Sequence, residues 1–199
     1  MSFFSEDKNA GMAIIIVGIL EIIGALIMIV CGLLKTEVGD NEFSIYHVVA
    51  GIGYLIAGII LLGYGKKVRG GAFSNKLDLL AEFVRIGGLI IIIGGIFSAA
   101  GLVAVKSTGL EDGIISAIVA IIIGLIVIWI STKINDGKQT TGDKIIWILL
   151  LIIFVISAIM AILEIITIIG IITGICDLII SIFMITVLLG DDVKKGMGM

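Results

Sequence analysis

Apolar residues along this chain gather into long unbroken runs separated by short polar segments. The runs are Ala10 to Leu34, Phe43 to Gly65, Leu79 to Val105, Gly113 to Ser131, and a stretch from Ile145 to Gly190 that contains no Lys or Arg. At about 1.5 Å rise per residue, that last stretch is far too long for one helix. Glu164, Thr167, Gly170 and Gly174 punctuate it. They predict a tight turn around Ile165 to Gly170, with a fifth span up to about Glu164 and a sixth from about Gly170. A run of about 20 apolar residues is what crosses a bilayer core. The runs do not alternate as barrel strands do, so helices are expected. The pattern predicts an all-α, polytopic membrane protein of six transmembrane helices. They would form three tandem hairpins, about 10–65, 79–131 and 145–190, in one membrane domain over residues 1–199.

Composition agrees with the pattern. The chain is 60% hydrophobic and 15% charged, where soluble domains are nearer half and a quarter. Its 27 Gly lie within the runs and Pro is absent, so the glycines read as helix-packing positions. Cys31 and Cys176 sit in separate runs without CxxC spacing, which indicates neither a metal site nor a disulfide framework. The opening MSFFSEDKNA is acidic where a signal peptide is basic. No HExxH, P-loop, nucleophile elbow or dinucleotide fingerprint occurs, so no enzyme and no cofactor is expected. A basic, aromatic nucleic-acid surface is missing as well.

Charge then orients the spans. Lys8, Lys66, Lys67, Arg69, Lys76, Lys133, Lys138, Lys144, Lys194 and Lys195 fall on one side of the expected topology. Lys35 and Lys106 fall on the other, among Glu37, Asp40, Glu42, Glu111 and Asp112. The positive-inside rule places the basic side, and both termini, in the cytoplasm of a multi-pass cell-membrane protein. Tyr64, Trp129 and Trp147 fall at that side as an expected aromatic belt.

The even spans overlay without gaps: Val48 to Gly65, Ile114 to Ser131 and Ile171 to Leu188. Ala50, Ser116 and Thr173 share a column; Gly51, Ala117 and Gly174 share the next; Gly58, Gly124 and Ser181 share a third. In the odd spans Gly18 and Gly24 match Gly88 and Gly94. The first and third columns are eight residues apart and are expected on one helical face. Small residues in such a stripe let helices approach closely, so Gly18, Gly24, Gly51, Gly58, Ser116, Ala117, Gly124 and Gly174 are the candidate packing positions. Segments such as GIGYLIAGIILLGYG and GIISAIVAIIIGLIVI give the whole chain a hairpin rhythm that resembles the HdeD-like family of small membrane proteins. The resemblance implies tandem transmembrane hairpins and little about chemistry.

Three carboxylates interrupt the runs. Glu164 falls at the expected far turn. Glu21 and Asp177 lie roughly 15 Å and 12 Å from their entrances by helical rise. A central Asp costs about 2.5–3.5 kcal/mol on insertion. The fourteen Ile, Leu, Val and Phe of Ile168 to Leu189 return up to about 0.3–0.6 kcal/mol each, so the span inserts with its Asp facing protein. Glu21 and Asp177 are candidates to share a proton or small cation, with Thr173, Ser181 or Tyr54 as hydroxyl ligands. Two nearby carboxylates do not both stay ionised without a cation. The opposing reading has each acid protonated or hydrogen-bonded, merely fixing helix register. His47 is read as a wet interfacial side chain, and Glu82 with Arg85 as a local ion pair.

The leading expectation is a non-enzymatic structural or accessory membrane component. It would work through helix packing and oligomerisation, with membrane lipids and a second copy or another membrane protein as partners. The alternative is a small proton- or cation-coupled channel or transporter using Glu21 and Asp177.

Overall fold

The computed structural model describes residues 6–38, 41–105, 110–166 and 171–199. Among them it is helical apart from one short antiparallel ladder. The long helices are α1 (Asp7–Leu34), α2 (Ile45–Arg69), α3 (Lys76–Ala104), α4 (Leu110–Ile134), α5 (Thr141–Ile165) and α6 (Ile171–Leu188), followed by the short α7 (Asp191–Gly196). All six long helices are apolar and long enough to cross a membrane. The helices outrun the apolar runs at several ends, because polar residues there cap them and need not be buried. Two capping boxes start α2 and α5: Ser44 with His47, and Thr140 with Asp143. Asn75 starts α3 by accepting from the Asp78 N–H at 2.8 Å. Lys35 ends α1 in the left-handed region, at φ 49°, and the ladder β1 (Glu37–Val38) and β2 (Asn41–Glu42) follows. The expected turn at Ile165 to Gly170 falls largely outside the described residues.

Each helix packs most extensively on its chain neighbour in the pairs α1–α2, α3–α4 and α5–α6. Glycine explains how. A Cβ on Gly18 would lie 2.9 Å from the Gly58 carbonyl oxygen, and one on Gly58 would lie 3.0 Å from the Gly18 carbonyl oxygen. Gly51 meets the Ala25 carbonyl in the same way at 3.1 Å, and Gly65 meets that of Gly11 at 3.0 Å. Gly88 opposes Gly124, and Gly174 rests on the Ala161 carbonyl at 2.8 Å. Backbone therefore touches backbone in all three pairs.

The spacing within these seams is seven: Gly11, Gly18, Ala25 and Gly32 on α1; Gly51, Gly58 and Gly65 on α2; Ala117, Gly124 and Ser131 on α4; Gly174, Ser181 and Leu188 on α6. Seven residues return to within about 20° of the same face. Eight residues overshoot it by about 80°. The second and third aligned columns thus share the seam, and the first does not. Ser116 and Thr173 are exposed, whereas Ala50 is buried against other neighbours. Gly24 also stands apart, with only an Ile172 methyl at 4.0 Å.

Beyond the pairs, α2 packs on α3 and α1 on α6, with a smaller contact between α3 and α6. These four helices enclose most of the core, while α4 and α5 pack from outside on α3 and α6 and contribute Ile134, Trp147 and Leu150 to it. The Asp7–Lys76 ion pair and the seat of α7 against α3 and α6 place both termini at one end of the bundle. The core fills that end. Ile14, Leu80, Phe183 and Met184 are wholly buried, as are Val193 and Met197 beneath them. Tyr64, Phe73, Phe83, Phe154 and Phe183 form a chain of ring contacts across it.

Polar aromatic groups are used inside this core. The Tyr64 hydroxyl donates to the Leu79 carbonyl at 2.9 Å, and the Trp147 indole N–H to the Leu188 carbonyl at 2.8 Å. Of the three expected belt residues only Trp129 is exposed, 6.0 Å from the Lys133 ammonium. The other two tie helices together because a buried O–H or N–H needs an acceptor.

Replacing Gly124 by Ala places a methyl 2.6 Å from the Gly88 carbonyl oxygen, and overpacking of this kind costs about 1–3 kcal/mol. A Cβ on Gly63 meets nothing within 4 Å, so Gly63→Ala is expected to be neutral or to stabilise by up to about 1 kcal/mol. Unfolding by sodium dodecyl sulfate titration in mixed micelles checks both signs.

Candidate functional site

The heptad that builds the seams also reports what faces the interior of the four-helix group. On α6, Met184 is 0% exposed; Asp177, seven residues towards the far end on the same face, is exposed. On α2, Val68 and Leu61 are buried at 1% and 6%, and the next position, Tyr54, is 48% exposed. On α1, Ile14 is followed by the half-buried Glu21. On α3, buried Leu80 is followed by Gly87 and Gly94, and a Cβ on either would meet nothing within 4 Å. Four helices therefore change together. Large apolar side chains fill the interior at the termini end, and glycine, Tyr or carboxylates replace them beyond it. The interior is packed at one end and hollow at the other.

Part of that hollow is a cavity of about 260 Å³ between α2 and α3, lined by Tyr46, Ala50, Gly53, Tyr54, Ala57, Ile90, Gly94 and Ser98. Small residues make the space. The Tyr46 and Ser98 hydroxyls bridge at 3.1 Å towards its far end. Tyr54 links the cavity to the acids, lying within electrostatic reach of Glu21, Asp177 and Glu164. Glu21 also lies within electrostatic reach of Asp177, and Asp177 within reach of Glu164.

The approach of Glu21 to Asp177 follows from the α1–α6 contact. The Cys176 thiol faces the Val17 carbonyl at 3.9 Å, and Ile172 faces Gly24. Glu21 lies between those two levels and Asp177 next to the first, so the acids are roughly one helical turn apart in depth. The ion pairs Lys67–Glu82, Arg85–Glu82, Lys76–Asp7 and Lys133–Asp136 gather instead at the termini end.

The remaining candidates divide by place. Ser181 is buried in the α5–α6 seam, one turn from Asp177 towards the termini. Thr173 lies one turn the other way and is exposed. Glu164 is half-buried in the last turn of α5. His47 is a capping residue: its Nδ1 accepts the Ser44 N–H at 3.0 Å, and its ring packs on Phe43 and Tyr46. Arg85 and Glu82 pair at 3.9 Å, with Lys67 also on Glu82 at 3.4 Å. Tyr46, Ser98 and Gly94 of the cavity were not candidates from sequence, although the Leu80–Gly87–Gly94 heptad is a readable signal. No group of three or more His, Cys, Asp or Glu among the described residues is placed to hold a metal ion. No family model matches the chain, and neither a curated protein nor a solved structure is significantly similar to it.

With Cys31 and Cys176 replaced by Ala, Cys placed at Tyr54 or Asp177 is expected to react with a small hydrophilic methanethiosulfonate. Cys at Leu61 or Met184 is expected to resist it. Equal labelling at all four positions contradicts a hollow confined to the far half.

Proposed function

We propose that this protein is a membrane component of three tandem hairpins, inserted with both termini in the cytoplasm. It would act through helix contacts and not through catalysis. The observation that carries the reading is backbone-to-backbone contact in each sequential helix pair, which makes the pair the unit of construction. The asymmetry of Lys and Arg supports the orientation, since the basic residues gather at the end that bears the termini. The resemblance to HdeD-like proteins expected from the sequence is compatible with the same construction and adds no chemistry. Association with a second copy or another membrane protein is the natural use of such a body, because among the described residues α4 packs mainly on α3, with only a small contact to α5. The protein in nanodiscs is expected to sediment as an oligomer, and a strictly monomeric species at micromolar protein sinks the oligomeric part of this reading.

A second reading has a specific observation in its favour. Asp177 lies on an accessible interior face and near Glu21, not in a dry helix seam. An acid held at that depth marks an ion or proton pathway more often than a packing device. On this reading Glu21 and Asp177 serve an exchangeable proton or small cation, reached from the far side and closed off by the aromatic core. Proteoliposomes under a sodium or pH gradient are expected to show flux that falls at least about tenfold in Glu21→Gln and Asp177→Asn. Equal flux from all three proteins, each shown to be folded, removes this reading.

A further inference from the structure

We infer that the cavity between α2 and α3, which shares its wall residue Tyr54 with the interior face that carries Glu21 and Asp177, is a binding site for a small lipophilic organic cation: an amine or quaternary ammonium with an apolar body. The inference rests on the second reading above, in which Glu21 and Asp177 serve an exchangeable cation, and it names the class of ligand.

Three features select that class. The first is space of apolar character. Ala50, Gly53, Ala57, Ile90 and Gly94 line a cavity of about 260 Å³, close to the lower bound of about 300 Å³ for small-molecule sites. Gly94 opens it, since no atom lies within 4 Å of where its Cβ would be. The second is charge. Tyr54 belongs to the cavity wall and also lies within reach of Glu21 and Asp177. A ligand seated on the apolar wall thus presents its head to two carboxylates. No Lys or Arg occurs on α6 or between Thr36 and Gly65, so the field at this depth is negative and repels anions. The third is the spread of the donors. The acids are roughly a helical turn apart in depth and form no compact metal cluster among the described residues. A bare divalent ion needs six to eight oxygens at about 2.3–2.6 Å if it is calcium. An organic cation needs only a nearby negative field and an aromatic face, and Tyr46 and Tyr54 supply rings for cation–π contact.

The test uses benzyltrimethylammonium and its uncharged isostere neopentylbenzene, with the full-length protein in nanodiscs and empty nanodiscs subtracted. Equilibrium dialysis with labelled benzyltrimethylammonium is expected to show saturable binding at one site per chain. Excess neopentylbenzene is expected not to displace it. Glu21→Gln and Asp177→Asn are each expected to weaken binding by about tenfold, the factor that 1.4 kcal/mol represents. Gly94→Leu fills the cavity without touching the acids and is expected to abolish binding, while Gly94→Ala retains it and controls for folding. Should an acid variant fail to fold, the Gly94 pair decides alone. Absence of saturable binding to the folded wild-type protein, or binding unchanged in Gly94→Leu, overturns the inference. Sodium- or proton-driven flux that still depends on Glu21 and Asp177 in that case leaves the second reading intact and sinks only the organic-cation assignment.

Discussion

Close approach of helix backbones at glycine is the constraint from which the rest of this structure follows. In a lipid-like surrounding there is no hydrophobic force between apolar helices, since acyl chains are as apolar as Leu. What remains is dispersion between well-fitted surfaces, and it is strongest where no side chain holds the backbones apart. The mutual contacts of Gly18 with Gly58 and of Gly88 with Gly124 are such places. Repeating them every seven residues keeps one face turned to the partner over the whole helix. The contacts between pairs, of which α2 on α3 is about as extensive as α5 on α6, then set the shape of the interior.

That interior is asymmetric because its filling is asymmetric. Ile14, Leu61, Leu80 and Met184 bring bulk to the termini end, and the aromatic chain from Tyr64 to Phe183 joins them. One heptad further on, the same faces carry Glu21, Tyr54, Gly87 and Asp177. Close packing demands volume, and glycine does not provide it. The hollow and the acids therefore share one origin, and α7 reinforces the closed end by burying Val193 and Met197.

Much of the fold was legible along the chain. Six helices of near-expected extent follow from run length alone, and even the division of the Ile145 to Gly190 stretch follows from Glu164 and the glycines after it. The small-residue columns were legible too, but their grouping was not. Columns eight apart looked coaxial, whereas the seams use a spacing of seven, which separates Ser116 and Thr173 from Gly124 and Ser181. Tyr64 and Trp147 misled in another way. Their position in the sequence suited an interface belt, and only the location of the Leu79 and Leu188 carbonyls turned them inward.

The chain by itself determined element type, length and charge asymmetry, because these depend on composition and on the period of one helix. It also marked Glu21 and Asp177 as the acids least at home in their surroundings. Which faces meet, and whether those acids lie in a seam or a hollow, was decided by tertiary structure. Such facts depend on residues far apart in the chain, Val17 against Cys176 and Gly24 against Ile172. Helical periodicity assigns each of them a direction, and only packing supplies the neighbour in that direction.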